Sequence, residues 1–112
     1  MSLRDKILAA NDHTVTPLDV PEWGETVYLR SWTGAERNRI TRLWQKGEHH
    51  MDEAYSLILT SSLCDAEGKR LFKEADGGAL MDKKSAVLEK IVFASLHANG
   101  VNAEAVDAAK KN

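Results

Sequence analysis

Val20-Pro21-Glu22-Trp23-Gly24-Glu25-Thr26-Val27-Tyr28-Leu29-Arg30-Ser31-Trp32-Thr33-Gly34-Ala35-Glu36-Arg37 is the stretch on which the fold turns. Over residues 25–32, Val27 and Leu29 fall on one side of an extended chain and Tyr28 and Arg30 on the other. Residues of these types at a period of two predict a strand. Thr33 followed three residues later by Glu36 is a capping box and opens a helix. That helix is predicted to run to about residue 46, with Ile40, Leu43 and Trp44 inward and Gly47 as its C-cap. Upstream, residues 11–20 alternate more loosely and contain Pro17, and Pro21 follows. Proline has no ladder donor, so this strand is predicted to lie at an edge or end early. With Gly24 between them, the two extended segments pair as a hairpin.

The chain on either side is helical in pattern. Ser2 followed by Asp5 reads as an N-cap, and Leu3, Ile7 and Leu8 form a short apolar stripe behind it. A helix this short is marginal alone in water, so it must dock on its own domain or on a neighbouring subunit. Residues 51–63 carry Ala54, Tyr55, Leu57, Ile58, Leu59 and Leu63, apolar nearly all round, which predicts a central, buried helix. Asp65-Ala66-Glu67-Gly68-Lys69 is a polar turn, with Gly68 able to take a left-handed conformation, and Leu71-Phe72 follow as a short extended piece. Asp76-Gly77-Gly78 reads as a break in or beside a short helical turn. Residues 82–99 give a further helix, capped by Asp82, with Ala86, Val87, Leu88, Ile91, Val92, Phe93 and Leu96 on a wide apolar face and Gly100 ending it. Residues 103–110 form a last helix with little to bury, expected to fray.

Bulk properties bound the function. A chain of 112 residues with 43% hydrophobic and 29% charged residues reads as one globular domain, residues 1–112, with 1–11 a docking helix and 101–112 a frayed end. The net charge of −2 argues against bulk attraction to nucleic acid or an anionic membrane. No apolar run approaches the ~20 residues that span a bilayer, and the N-terminus lacks a signal-peptide pattern. Cys64 is the only cysteine and lies in an apolar run, which reads as a packed thiol in a reducing compartment.

A search for chemistry returns little. His49 and His50 with Asp52 and Glu53 have metal-ligand residue types, but adjacent side chains on a helix diverge by about 100° and do not share an ion easily. A solvated interhelical loop is the better reading, and no metal or cofactor is expected. Ser56, Ser61 and Ser62 have no His/Asp grouping beside them, so an enzyme is not expected. Arg30, Arg37, Arg39, Arg42 and Lys46, interleaved with Trp32 and Trp44, admit two readings. They could grip a phosphate backbone with the tryptophans stacking on bases, or form a solvated face over core tryptophans. The nearby Glu25 and Glu36 favour the second. Trp44 lies on the apolar helix face. Trp23 and Trp32, at the two ends of the hairpin, either close the core over the sheet or anchor a partner.

Six segments carry a resemblance. Leu3-Arg4-Asp5-Lys6-Ile7-Leu8, Val20-Pro21-Glu22-Trp23-Gly24, Val27-Tyr28-Leu29-Arg30, Thr33-Gly34-Ala35-Glu36-Arg37, Cys64-Asp65-Ala66-Glu67-Gly68-Lys69-Arg70-Leu71-Phe72 and Lys84-Ser85-Ala86-Val87-Leu88 follow one another in the order seen in the tail assembly chaperones of long-tailed bacteriophages. The chain resembles that family over roughly residues 2–100. Each motif is weak alone and the ordered set carries the likeness. It implies a non-enzymatic protein of the host cytoplasm, absent from the mature virion. Such a protein binds the long, aggregation-prone tape measure protein and keeps it soluble while tail tube protein polymerises. The resemblance also implies a second, longer product made by ribosomal frameshifting near the end of the reading frame. The terminal Lys110-Lys111-Asn112 is compatible with a slippery codon run, the plain alternative being a solvated basic tail.

The expected fold is therefore α+β and mainly helical, a small N-terminal β-hairpin packed against about three longer helices with short terminal helices. The expected function is tail assembly chaperone, with Leu3, Ile7 and Leu8 for self-association into a homo-oligomer or helical array and Trp23 and Trp32 for partner binding. The alternative is a small nucleic-acid-associated or regulatory protein using the face of Arg37, Arg39, Arg42 and Lys46.

Overall fold

In the computed structural model, which describes residues 2–101, the hairpin forms where the alternation places it. Strands β1 (Val15–Val20) and β2 (Glu25–Arg30) pair antiparallel, with Val15 opposite Arg30 and Val20 opposite Glu25. Pro21–Trp23 make a single 3-10 turn, and Gly24 closes it at φ 63°, where glycine meets no Cβ penalty. The Ser31 N–H donates to Thr14 O at 3.0 Å. Counting by twos from that pair, the residues facing β2 are 14, 16, 18 and 20. Pro17, opposite Tyr28, falls on the other set, so its missing N–H lies on the open side of β1. A foreign strand arriving there finds one donor fewer, a common protection of exposed edges.

A third strand departs from the expected two-stranded hairpin. Leu63 and Cys64, predicted as the end of a helix and the residue beyond it, form β3 (Leu63–Cys64), pairing with Leu29 and Tyr28 of β2. Cys64 then bridges to Arg70 across a tight turn. Asp65 builds that turn: its Oδ1 accepts from the N–H groups of Glu67 and Lys69, each at 2.9 Å, and Gly68 adopts φ 88°. The sheet order is β1-β2-β3, which places β2 in the middle.

The helices follow their caps. Helix α1 (Leu3–Ala9) starts at Ser2, whose hydroxyl accepts from the Asp5 N–H at 3.1 Å. Helix α2 (Gly34–Gln45) opens with the reciprocal box: Thr33 Oγ1 accepts from Glu36 N–H at 3.1 Å and Glu36 Oε1 accepts from Thr33 N–H at 2.9 Å. Helix α3 (Met51–Ser62) is the central one, with every residue from Leu57 to Ser62 buried. A four-residue helix α4 (Gly77–Leu80) precedes α5 (Ser85–Ala98). Helix α5 begins three residues after the expected Asp82 start. The N–H groups of Asp82 and Lys83 donate back to Ala79 and Leu80, so Asp82 belongs to the turn that ends α4. Gly100 at φ 77° ends α5, with Val101 N–H donating to Leu96 O at 2.8 Å and Gly100 N–H to His97 O at 3.0 Å. This pair of bonds is a Schellman closure. The last helix expected over residues 103–110 lies outside the described residues.

The core lies where α3 and α5 meet the sheet and α2. Val20, Leu29, Ile40, Trp44, Ile58, Leu59, Ile91 and Leu96 all pack into it. The buried face of α5 is narrower than expected, since Ala86 and Phe93 are exposed. Arg30, read among the cations of a solvated face, is largely covered instead, its guanidinium paired with Glu36 in the first turn of α2 at 2.6 Å.

Gly77 is helical and buried, so it is needed for its size and not for a turn. A Cβ there would overlap Ser56 Oγ on α3 and lie 3.2 Å from Ser56 Cβ. Gly77→Ala is expected to destabilise the fold by about 1–2 kcal/mol in urea unfolding, although alanine is the better helix former by ~1 kcal/mol. The penalty should shrink in a Ser56→Gly background; an undiminished penalty there would rule out this contact as its source.

Candidate partner-binding surfaces

Helix α1 covers none of its own apolar stripe. Leu3 is 73% exposed, Ile7 63% and Leu8 69%, and no residue of the helix is buried. Its polar face carries Arg4, Asp5 and Lys6, with Arg4 and Asp5 paired at 3.3 Å. The helix hangs from the start of the hairpin. His13 Nδ1 and the Thr14 N–H both bond to Ser31 Oγ, at 2.9 and 3.1 Å, so the chain is held to the sheet from His13 onward.

A second apolar surface lies at the other end of the hairpin. Trp23, Leu71, Phe72, Ala79 and Leu80 line a groove of about 590 Å³. Three pieces of chain build it: the β1–β2 turn supplies Trp23, the segment after β3 supplies Leu71 and Phe72, and α4 supplies the rest. Asp76 and Lys83 add one charge of each sign. Leu71 is 54% exposed, an unusual position for a leucine flanked by a second apolar side chain. Leu71 and Phe72 were legible as a short extended piece, but nothing in their local pattern paired them with Trp23.

The two tryptophans expected at partner surfaces are placed differently. Trp23 is half-buried at the groove, with part of its ring free. Trp32 is 9% exposed and serves as a joint between elements. Its Nε1 donates to Ser62 Oγ at 2.7 Å and its N–H to Asn99 Oδ1 at 2.9 Å. Asn99 in turn donates to Ser95 O and accepts from Arg37 Nη1 through its own carbonyl. The exit of the hairpin is thereby tied to α3 and to the end of α5.

The basic face is mostly used inside the molecule. Arg30 pairs with Glu36, Arg37 with the Asn99 carbonyl, and Arg39 with Glu74 at 2.5 Å, which raises the Arg39 pKa further above its ordinary value through that hydrogen bond. Arg42 and Lys46 remain on the rim of a second groove whose lining also includes Glu53 and Glu74. Trp32 and Trp44 are both buried, so neither offers a face for base stacking. The observed arrangement matches a solvated face over core tryptophans better than a phosphate grip.

The remaining candidate groups are arranged as follows. His49 and His50 sit in a 3-10 turn before α3, with His50 Nδ1 3.4 Å from Glu53 Oε1. Among the described residues no group of three or more His, Cys, Asp or Glu side chains could hold a metal ion. None of the described helices is long and apolar enough to cross a membrane. Cys64 is buried in β3, and that burial, with Asp65 next to it, pushes its thiol pKa up. Little thiolate forms near neutral pH, so native Cys64 is expected to resist a thiol-reactive probe that labels the urea-unfolded chain at once. Fast labelling of the folded protein would show that β3 opens locally.

No family model matches the sequence, and no curated protein matches it. Among solved structures the chain is similar to the tail assembly chaperone of bacteriophage HK97, with a TM-score of 0.65 and 20% sequence identity. The superposition covers 84% of this chain and 90% of that one, so what the two share is the whole fold and not one motif.

Proposed function

We propose that this chain is a phage tail assembly chaperone that binds the tape measure protein and keeps it soluble in the host cytoplasm while tail tube protein assembles around it. The observation that carries the proposal is the fold shared with the HK97 chaperone across nearly the full length of both proteins. The surfaces support it. An α+β body of this size offers grooves to an amphipathic helix of a client, which lays its apolar stripe into them. A long client needs many copies along its length, and weak contacts between copies then strengthen binding through multivalency. The exposed Leu3, Ile7 and Leu8 are the residues for that self-association, giving a homo-oligomer or helical array. Trp23, half open at its groove, is the tryptophan we assign to a partner contact. A longer frameshifted form of the same chain would share these surfaces, and neither form would remain in the mature virion.

The test is co-expression with the tape measure protein of the same phage, then a soluble pull-down at low and high salt. A soluble complex that survives high salt is the expected result, because apolar contacts are not screened. A tape measure protein that stays insoluble with the chaperone present would overturn the proposal. A complex lost steeply with salt would point to the cations of α2, since phosphate contacts release counterions.

A further inference from the structure

We infer that the Trp23 groove is the receptor for helix α1 of a second copy of this chain. Among the described residues, none buries the apolar stripe of α1, and the Trp23 groove is an apolar surface open to solvent. Helix α1 spans two turns, about 10 Å, which matches a short groove and not an extended surface. The charges also suit each other: α1 brings Arg4 and Lys6 for Asp76, and Asp5 for Lys83.

The donor is a second copy of the chain. Chain from His13 onward is bonded to Ser31, which leaves residues 10–12 free to bend. The groove lies at the turn end of β1, whose six residues set the two ends roughly 17 Å apart. In the structure α1 joins the opposite end of β1, and none of the groove-lining residues comes from it. Because helix and groove are different surfaces at opposite ends of the hairpin, the contact is head-to-tail and can propagate from copy to copy.

The inference rests on the self-association assigned to Leu3, Ile7 and Leu8 and not on the client. A chain that associates but leaves the tape measure protein insoluble keeps this contact and loses the client. The experiment uses Ile7→Asp, which spoils the helix, and Leu71→Asp, which spoils the groove. Both sites are exposed, so both variants are expected to keep the wild-type circular dichroism spectrum and Tm. Light scattering with size exclusion should show wild-type mass rising with concentration and each variant shifted toward monomer, with association weakened about tenfold or more. The mixture decides the geometry. An Ile7→Asp copy retains its groove and a Leu71→Asp copy retains its helix, so mixing the two should restore a complex that stops at the heterodimer. Wild type that stays monomeric at high concentration would overturn the inference. So would a Leu71→Asp variant that associates normally, or a mixture that stays monomeric.

Discussion

Replacing Ile58 by alanine is expected to destabilise the protein by about 3–4 kcal/mol. Ile58 is fully buried in the middle of α3, the helix that touches α2, α5 and the sheet. Removing its three outer carbons gives up their transfer free energy and leaves a cavity that several rigid neighbours cannot close together. Chemical unfolding should show the loss as a lower midpoint with an unchanged slope. Leu71→Ala is the informative contrast. It removes a similar side chain from an exposed site, so stability should move by less than about 0.5 kcal/mol while association through the groove weakens. If the two substitutions were equally destabilising, Leu71 would be a core residue and the groove would not be an open surface.

Glu36→Ala is expected to cost about 3 kcal/mol and to lower Tm by roughly 10 °C. One carboxylate does two jobs here. Its Oε1 accepts from the Thr33 N–H and completes the cap of α2, while its Oε2 holds the Arg30 guanidinium at 2.6 Å. Loss of the cap accounts for about 1 kcal/mol. The larger part comes from Arg30, which is mostly covered and whose Nε already lacks a partner. Breaking one side of a covered ion pair strands the other charge, and that penalty exceeds what the intact pair contributes. Glu36→Gln should fall between, because glutamine can still accept from Thr33 but cannot neutralise Arg30. A Glu36→Ala protein within about 0.5 kcal/mol of wild type would mean that water reaches Arg30 freely.

Much of the fold was legible because it rests on local chemistry. The capping box at Thr33 and Glu36, the Ser2 cap, the edge position imposed by Pro17 and the stop at Gly100 each depend on residues within a few positions of one another. The patterns of α2, α3 and β2 are strong for the same reason, since one face of each must be apolar to meet a common core. The departures share an opposite cause. Leu63 and Cys64 follow Thr60-Ser61-Ser62 with no glycine or proline to stop α3, and it is the unpaired edge of β2 that draws them into extended pairing. Asp82 has the chemistry of a cap, yet its N–H is already used by the end of α4. Gly77 reads as a helix breaker and is kept for close packing against Ser56, a residue 21 positions earlier in the chain.

The surfaces divide along the same line. Leu3, Ile7 and Leu8 stand out in the sequence because a seven-residue helix has too little to bury to persist alone, and the docking role proposed for them comes from that length and pattern. The opposite fates of Trp23 and Trp32 could not be read in that way. Both are tryptophans at the ends of one hairpin, and what separates them is what the rest of the chain lays over each end. Ser62 and Asn99 close over Trp32, whereas Leu71, Phe72 and α4 leave Trp23 half open. Local chemistry alone accounts for the hairpin, for α1, α2 and most of α3, and for the Ser2 and Thr33 caps, because these depend on neighbours a few residues away. The third strand, the covered Arg30 and the groove come from long-range packing, because each is made by segments distant in the chain.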